Sequence, residues 1–155
     1  MEQIKILFFV LGSFFGIENE RIVANKTSIQ VFPKEKKIEI IQKGLSVMVR
    51  TKKDSILAIK EWNKLQQWNE EKPTLVEELV CFKVESYQLN IKDKTAYPRL
   101  VLTYSDLKDL REIGIWYNSK DKQFSINQIP LYNIKTKTGN LTDHYWKFDA
   151  DHDFS

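Results

Sequence analysis

The residues best suited to chemistry are scarce in this chain: one cysteine and two histidines. A structural zinc site takes about four Cys or His ligands. Cys81, His144 and His152 fall short of that, and no metal or other cofactor is expected. Asp149-Ala150-Asp151-His152-Asp153 copies the opening of a calcium loop, in which alternate carboxylates converge on one ion. Phe154 stands where such a loop needs its glycine, so the segment reads as a solvated, frayed end. Cys81 lies among Leu79, Val80, Phe82 and Val84. That neighbourhood predicts a buried thiol with a raised pKa, which is an inert one.

Nucleophilic serine chemistry and phosphate binding lack their motifs. There is no G-x-S-x-G elbow. The chain has 5 glycines, none clustered, which excludes both glycine-rich phosphate loops. Glu77 and Glu78 are adjacent, and adjacent side chains face apart on a strand or helix. No catalytic residue is assigned. The weak candidates for ligand binding are His144, Trp146, Phe148 and Trp116. Strand alternation across Leu141–Phe148 puts His144, Trp146 and Phe148 on one face, and Trp146 and Phe148 would turn that face inward.

Lys34, Lys36 and Lys37, Lys52 and Lys53, Lys92 and Lys94, and Lys120 and Lys122 gather at turns. Each group is diluted by Glu35, Asp54, Asp93 or Asp121. Lysines at turns and sheet edges discourage aggregation, and the net charge of +3 is too small to imply nucleic acid.

The elements that would position these residues are mainly strands. With 5 Gly and 4 Pro, nothing divides the chain into domains, and alternating hydrophobicity dominates it. Ser28–Phe32, Ile38–Ile40 and Leu45–Val49 read as a three-stranded meander broken by Pro33 and Gly44. Asp54–Asn69 reads as the one long helix, with Ile59, Trp62, Leu65 and Trp68 as its buried stripe. Leu79–Ile91 changes face partway, which predicts a bulge near Val84–Glu85. Tyr97–Tyr104 follows. Ser105–Ile113 reads as a short helix stopped by Gly114. Ile115–Asn118 pairs with Gln123–Gln128, and Tyr132–Thr138 with Leu141–Phe148. The fold class is therefore α+β. A mostly antiparallel, curled β-sheet (half-barrel, barrel or sandwich) carries one main helix packed on it.

Residues 18–155 form a single β-rich domain on this reading. Ahead of it, the apolar run Ile6–Ile17 has the length of a signal-peptide core and is too short to span a bilayer. Residues 1–17 are thus an export signal or a buried N-terminal segment. No later stretch is long and apolar enough to cross a membrane. The expected location is periplasmic or secreted, and cytoplasmic if the leader is structural.

Three functional classes fit these features. The first is a non-enzymatic binding domain that holds a small apolar ligand or another protein on its sheet. The second is an inhibitor or neutralising, immunity-type partner in the cytoplasm. The third is a small hydrolase using His144 with carboxylates. Strand-borne aromatics such as Tyr87, Tyr104, Trp116, Trp146 and Phe148 favour the first, because they can line a cavity. The same rings can equally fill a core.

Overall fold

A computed structural model describes residues 22–23, 26–44, 46–47, 51–67, 79–92, 95–127 and 134–155. The elements in chain order are β1 (Ile22–Val23), β2 (Lys26–Phe32), β3 (Lys37–Lys43), β4 (Ser46–Val47), α1 (Lys52–Gln67), β5 (Phe82–Lys92) and β6 (Thr95–Tyr104). A 3-10 helix (Leu107–Ile113) follows, then β7 (Trp116–Asn118), β8 (Gln123–Asn127), β9 (Asn140–Thr142) and β10 (Tyr145–Asp149).

β2, β3, β6 and β5 form the first four-stranded antiparallel sheet, in that spatial order. Its inner face follows from parity. Val31 opposes Ile38, and Ile38 opposes Leu102; Ile29 opposes Ile40, and Ile40 opposes Leu100. Ile38, Leu100 and Leu102 are fully buried. Gln42 is the one buried polar residue among them, and its Nε2 donates to Thr27 Oγ1 at 3.2 Å. The expected bulge is present. Pairing of β5 with β6 slips between Val84 and Ser86, leaving Glu85 as the extra residue. That insertion moves the inward positions from Phe82 and Val84 to Tyr87 and Leu89.

β7, β8, β10 and β9 form the second four-stranded sheet, also antiparallel. Its inner residues Phe124, Ile126 and Phe148 join Ile38, Leu100 and Leu102 in one hydrophobic core. The two sheets are open, and no closed barrel forms among the described residues. The 3-10 helix sits between them in the chain. Asp106 caps it, accepting from Lys108 N at 2.9 Å, while Asp109 Oδ2 accepts from Asp106 N at 3.0 Å. Gly114 ends it at a φ of 91°, a left-handed conformation that strains any residue with a Cβ.

Four expectations change. Ser46–Val47, the described part of the expected strand Leu45–Val49, does not extend the meander: as β4 it pairs with β1, and β6 takes the place beside β3. The helix starts at Lys52, and Ile59 of its expected buried stripe is exposed. The side chains of Trp62, Leu65 and Trp68 lie outside the described residues. So do residues 1–21, with the export-signal reading, and residues 128–133, with most of the expected strand Tyr132–Thr138. Residues 134–139 of that region are not strand.

The chain end is the fourth change. It is pinned rather than frayed. Val31 N donates to the Phe154 carbonyl at 2.8 Å, and Phe154 N donates to the Val31 carbonyl at 3.0 Å. The Phe154 ring is buried, stacked on Phe148 at 4.5 Å and tilted against Phe124 at 5.4 Å. Thr136 Oγ1 and Thr138 Oγ1 both donate to the Ser155 carbonyl. The tail therefore ties the edge of the first sheet to the core rings of the second.

Candidate functional site

The register of the second sheet decides which aromatic residues share a face. Trp116 opposes Ser125, Ser125 opposes Lys147, and Lys147 opposes Asn140. The neighbouring row runs Tyr117, Phe124, Phe148. The next runs Ile126, Trp146, Leu141. Directly opposed residues point to the same side, and successive residues alternate. Phe148 and Trp146 thus point inward, as alternation predicts, while Trp116 points to the opposite, outer face.

His144 joins neither face. The expected single strand Leu141–Phe148 is a hairpin, β9 and β10, and His144 is exposed in its turn beside Asp143, which has a φ of 54°. The four candidate ligand-binding residues are therefore dispersed. Phe148 is buried in the core, Trp146 is half-buried against it, Trp116 is 49% exposed outside, and His144 is at a hairpin tip.

Inside, the rings make a packed cluster. Tyr117 contacts Phe124 at 5.1 Å, and Phe124 and Phe148 both contact Phe154. A Cβ on Gly139 would come within 2.6 Å of the Phe148 ring. Two polar atoms in this interior, Tyr104 Oη and Trp146 Nε1, are buried without a hydrogen-bond partner among the described residues.

Outside, the second sheet offers a face with two large rings. Trp116 is 49% exposed and Tyr145 is 45% exposed. They stand two strands and two rows apart, a separation of about 12 Å from strand spacing and rise. Ser125 and Lys147 lie between them, with Asn118, Gln123, Asn140, Thr142 and Asp149 around them. Among the described strand residues of this face, Lys147 and Asp149 are the only charges, one of each sign. Leu141 has inward parity, but it lies on the edge strand β9 and is 48% exposed at the rim. Alternation along the strand already sets Tyr145 on the face opposite Trp146 and Phe148, but nothing in the residue types distinguished Trp116 from a core ring. For Trp116 only the pairing register does.

Groups suited to catalysis do not converge. Among the described residues, no three His, Cys, Asp or Glu side chains come together as a metal site would require. His152 Nε2 is 4.0 Å from Asp149 Oδ2, and both side chains are exposed. Cys81 is exposed, contrary to the expectation of burial, because β5 begins only at Phe82 and leaves it in the preceding turn. Its thiol pKa is nonetheless raised, by desolvation first and then by the Asp109 and Glu112 carboxylates. A raised pKa keeps it a thiol, the form that is neither nucleophile nor metal ligand.

No family model, no curated protein and no solved structure matches this chain.

Proposed function

We propose that this protein is a non-enzymatic binding domain that holds a protein partner on the outer face of its second sheet, with Trp116 and Tyr145 as the central contacts. The observation that carries the reading is the exposure of both rings on one polar-rimmed face. Trp and Tyr dominate binding energy at protein interfaces, because a large rigid ring buries much area at little entropic cost. Elsewhere in this sheet the aromatic area is spent on packing. Phe124, Phe148 and Phe154 pack on one another rather than standing exposed to a ligand. One lysine and one aspartate on the face give no net positive field, which favours protein over nucleic acid.

An inhibitor or neutralising partner would use the same face in the same way. The hydrolase reading draws no support from a solvent-exposed His144 at a hairpin tip. The apolar Ile6–Ile17 run motivates the further proposal that the domain works outside the cytoplasm.

The test is a photoreactive phenylalanine analogue placed at position 116 in the native host. It should capture one discrete protein. The same analogue at Lys83, on the first sheet, should not. Capture at Lys83 with none at 116 would put the partner on the wrong sheet for this proposal.

A further inference from the structure

The register of the first sheet sorts its charges. Directly opposed residues share a face, so Val31, Ile38 and Leu102 fix the inner side, and Gln30, Glu39 and Val101 fix the outer one. By that parity the outer side carries six basic residues and two acids. Both acids are already held. Arg99 Nη2 donates to Glu39 Oε2 at 2.9 Å, and Lys37 Nζ lies 3.1 Å from Glu85 Oε1. Lys26, Lys43, Lys83 and Lys92 remain, all exposed, and none of them has an ion-pair partner among the described residues. Six bases against two acids give this one face a net charge above the +3 of the whole chain. Charges interleaved along the sequence are thus sorted in space by strand pairing.

Protection of sheet edges explains only part of this. Lysine on an edge strand deters aggregation, which covers Lys26 on β2 and Lys83 and Lys92 on β5. Lys43 is on the interior strand β3, and it stands directly opposite Lys26. Like charges opposed in this way destabilise the pairing. The face also lacks the anchors that other partners use. A protein interface is poor in lysine and centred on large apolar or aromatic side chains. A single-stranded nucleic acid is held by rings on which its bases stack. Among the described residues, no exposed large hydrophobic side chain lies on this outer side; Ile91 of β5 is exposed, but it has inward parity opposite Ala96.

We propose that the outer face of the first sheet adsorbs to a surface of anionic lipid headgroups, held there by Lys26, Lys43, Lys83 and Lys92. Charge complementarity carries the choice of occupant. A lysine ammonium is a strongly hydrated point charge. Such groups are attracted to an anionic bilayer without leaving water and without any side chain inserting into it. The four lysines stand on three strands. Lys26 and Lys92 are on the two edge strands, three strand spacings or about 14 Å apart. Charges spread across the width of a sheet match a two-dimensional array of headgroups better than a line of phosphates. This site is separate from the Trp116 face and does not depend on it.

The experiment is co-sedimentation of the full chain with vesicles of phosphatidylcholine and phosphatidylglycerol at about 2:1, and with phosphatidylcholine alone. At about 0.1 M salt the chain should partition onto the anionic vesicles and stay off the neutral ones. At about 0.5 M salt it should come off, because exposed charges are screened. Each lysine near such a surface contributes about fivefold to the partition coefficient. Lys26→Gln/Lys43→Gln should therefore lower it about 25-fold, and Lys83→Gln/Lys92→Gln by a similar factor. Lys120→Gln/Lys135→Gln removes the same charge from outside the first sheet and should lower it by less than about threefold. All six lysines are exposed, so the variants keep the fold. Trp116→Ala should leave the partition unchanged. No partition onto anionic vesicles, equal partition onto neutral ones, or an equal loss from all three lysine pairs overturns the proposal. So does a DNA duplex that displaces the chain from the vesicles at equal phosphate concentration, since nucleic acid would then be the preferred occupant.

Discussion

Replacing Phe154 by alanine probes whether the chain end is part of the fold or an ornament on it. The ring is 4% exposed and lies against Phe148 at 4.5 Å and Phe124 at 5.4 Å. A phenylalanine of this kind buries about 150–250 Å². At about 25 cal/mol per Å² that is worth about 4–6 kcal/mol, an upper value because unfolded chains bury some area themselves. Core Phe→Ala changes cost about 3–5 kcal/mol when measured. The tail can relax into part of the gap, so the low end of that range, about 3 kcal/mol, is expected for Phe154→Ala. This is a large share of the roughly 5–15 kcal/mol that holds a domain together. Urea unfolding followed by tryptophan fluorescence would report it. With a slope of about 2 kcal/mol per molar urea, the midpoint should fall by about 1.5 M. Phe154→Leu keeps most of the volume and should cost about 1 kcal/mol. A loss below about 1 kcal/mol for the alanine variant would mean that the tail frays in solution and that the Val31 bridge contributes nothing.

Two other perturbations test the interior. Gly139→Ala would place a Cβ 2.6 Å from one Phe148 ring atom and 2.9 Å from Thr136 Cγ2. It should cost about 1–3 kcal/mol by thermal or urea unfolding, and a neutral result would show that the ring moves freely. Burial raises the pKa of Tyr87 and, with help from Asp109, that of Tyr104 above the ordinary 10.0. Both stay neutral in the fold while the unfolded chain ionises near pH 10. Stability is therefore untouched below that pH and falls as pH rises above it toward the folded-state values. Each tyrosine should contribute about 1.4 kcal/mol per pH unit to that fall. Tyr104→Phe should remove one such contribution and cost little at neutral pH, because its hydroxyl has no partner among the described residues. An unchanged alkaline slope would place that hydroxyl in water.

Local patterns in the sequence were readable wherever a single strand or turn decides the outcome. The face switch in Leu79–Ile91 located the bulge at Glu85. Asp106 and Gly114 bracket the 3-10 helix within the span read from Ser105 to Ile113. Trp146 and Phe148 point inward as their alternation requires. Features that depend on pairing between distant segments were not readable. Whether Trp116 shares a face with Trp146 depends on the register of β7 with β8 and of β8 with β10, and no residue type encodes that parity. Asp143-His144 makes a tight turn without Gly or Asn, so alternation ran through it and put His144 on a strand. Phe154 is a lone apolar residue among acids, and periodicity cannot flag a single contact. Cys81 took its expected burial from apolar neighbours in sequence, yet it stands one residue outside the strand that buries Phe82.

The central claim is that Trp116 and Tyr145 bind a protein partner. The most direct measurement is the dissociation constant for the protein captured at position 116, compared between the natural chain and the Trp116→Ala/Tyr145→Ala variant. Both side chains lie half exposed on the outer face, so the variant should unfold within about 1 kcal/mol of the natural chain. Two central aromatic contacts of the usual strength, about 2 kcal/mol each, predict an affinity loss of several hundredfold or more. An unchanged dissociation constant with a folded variant would contradict the account and return both rings to the ordinary exposed surface of a sheet.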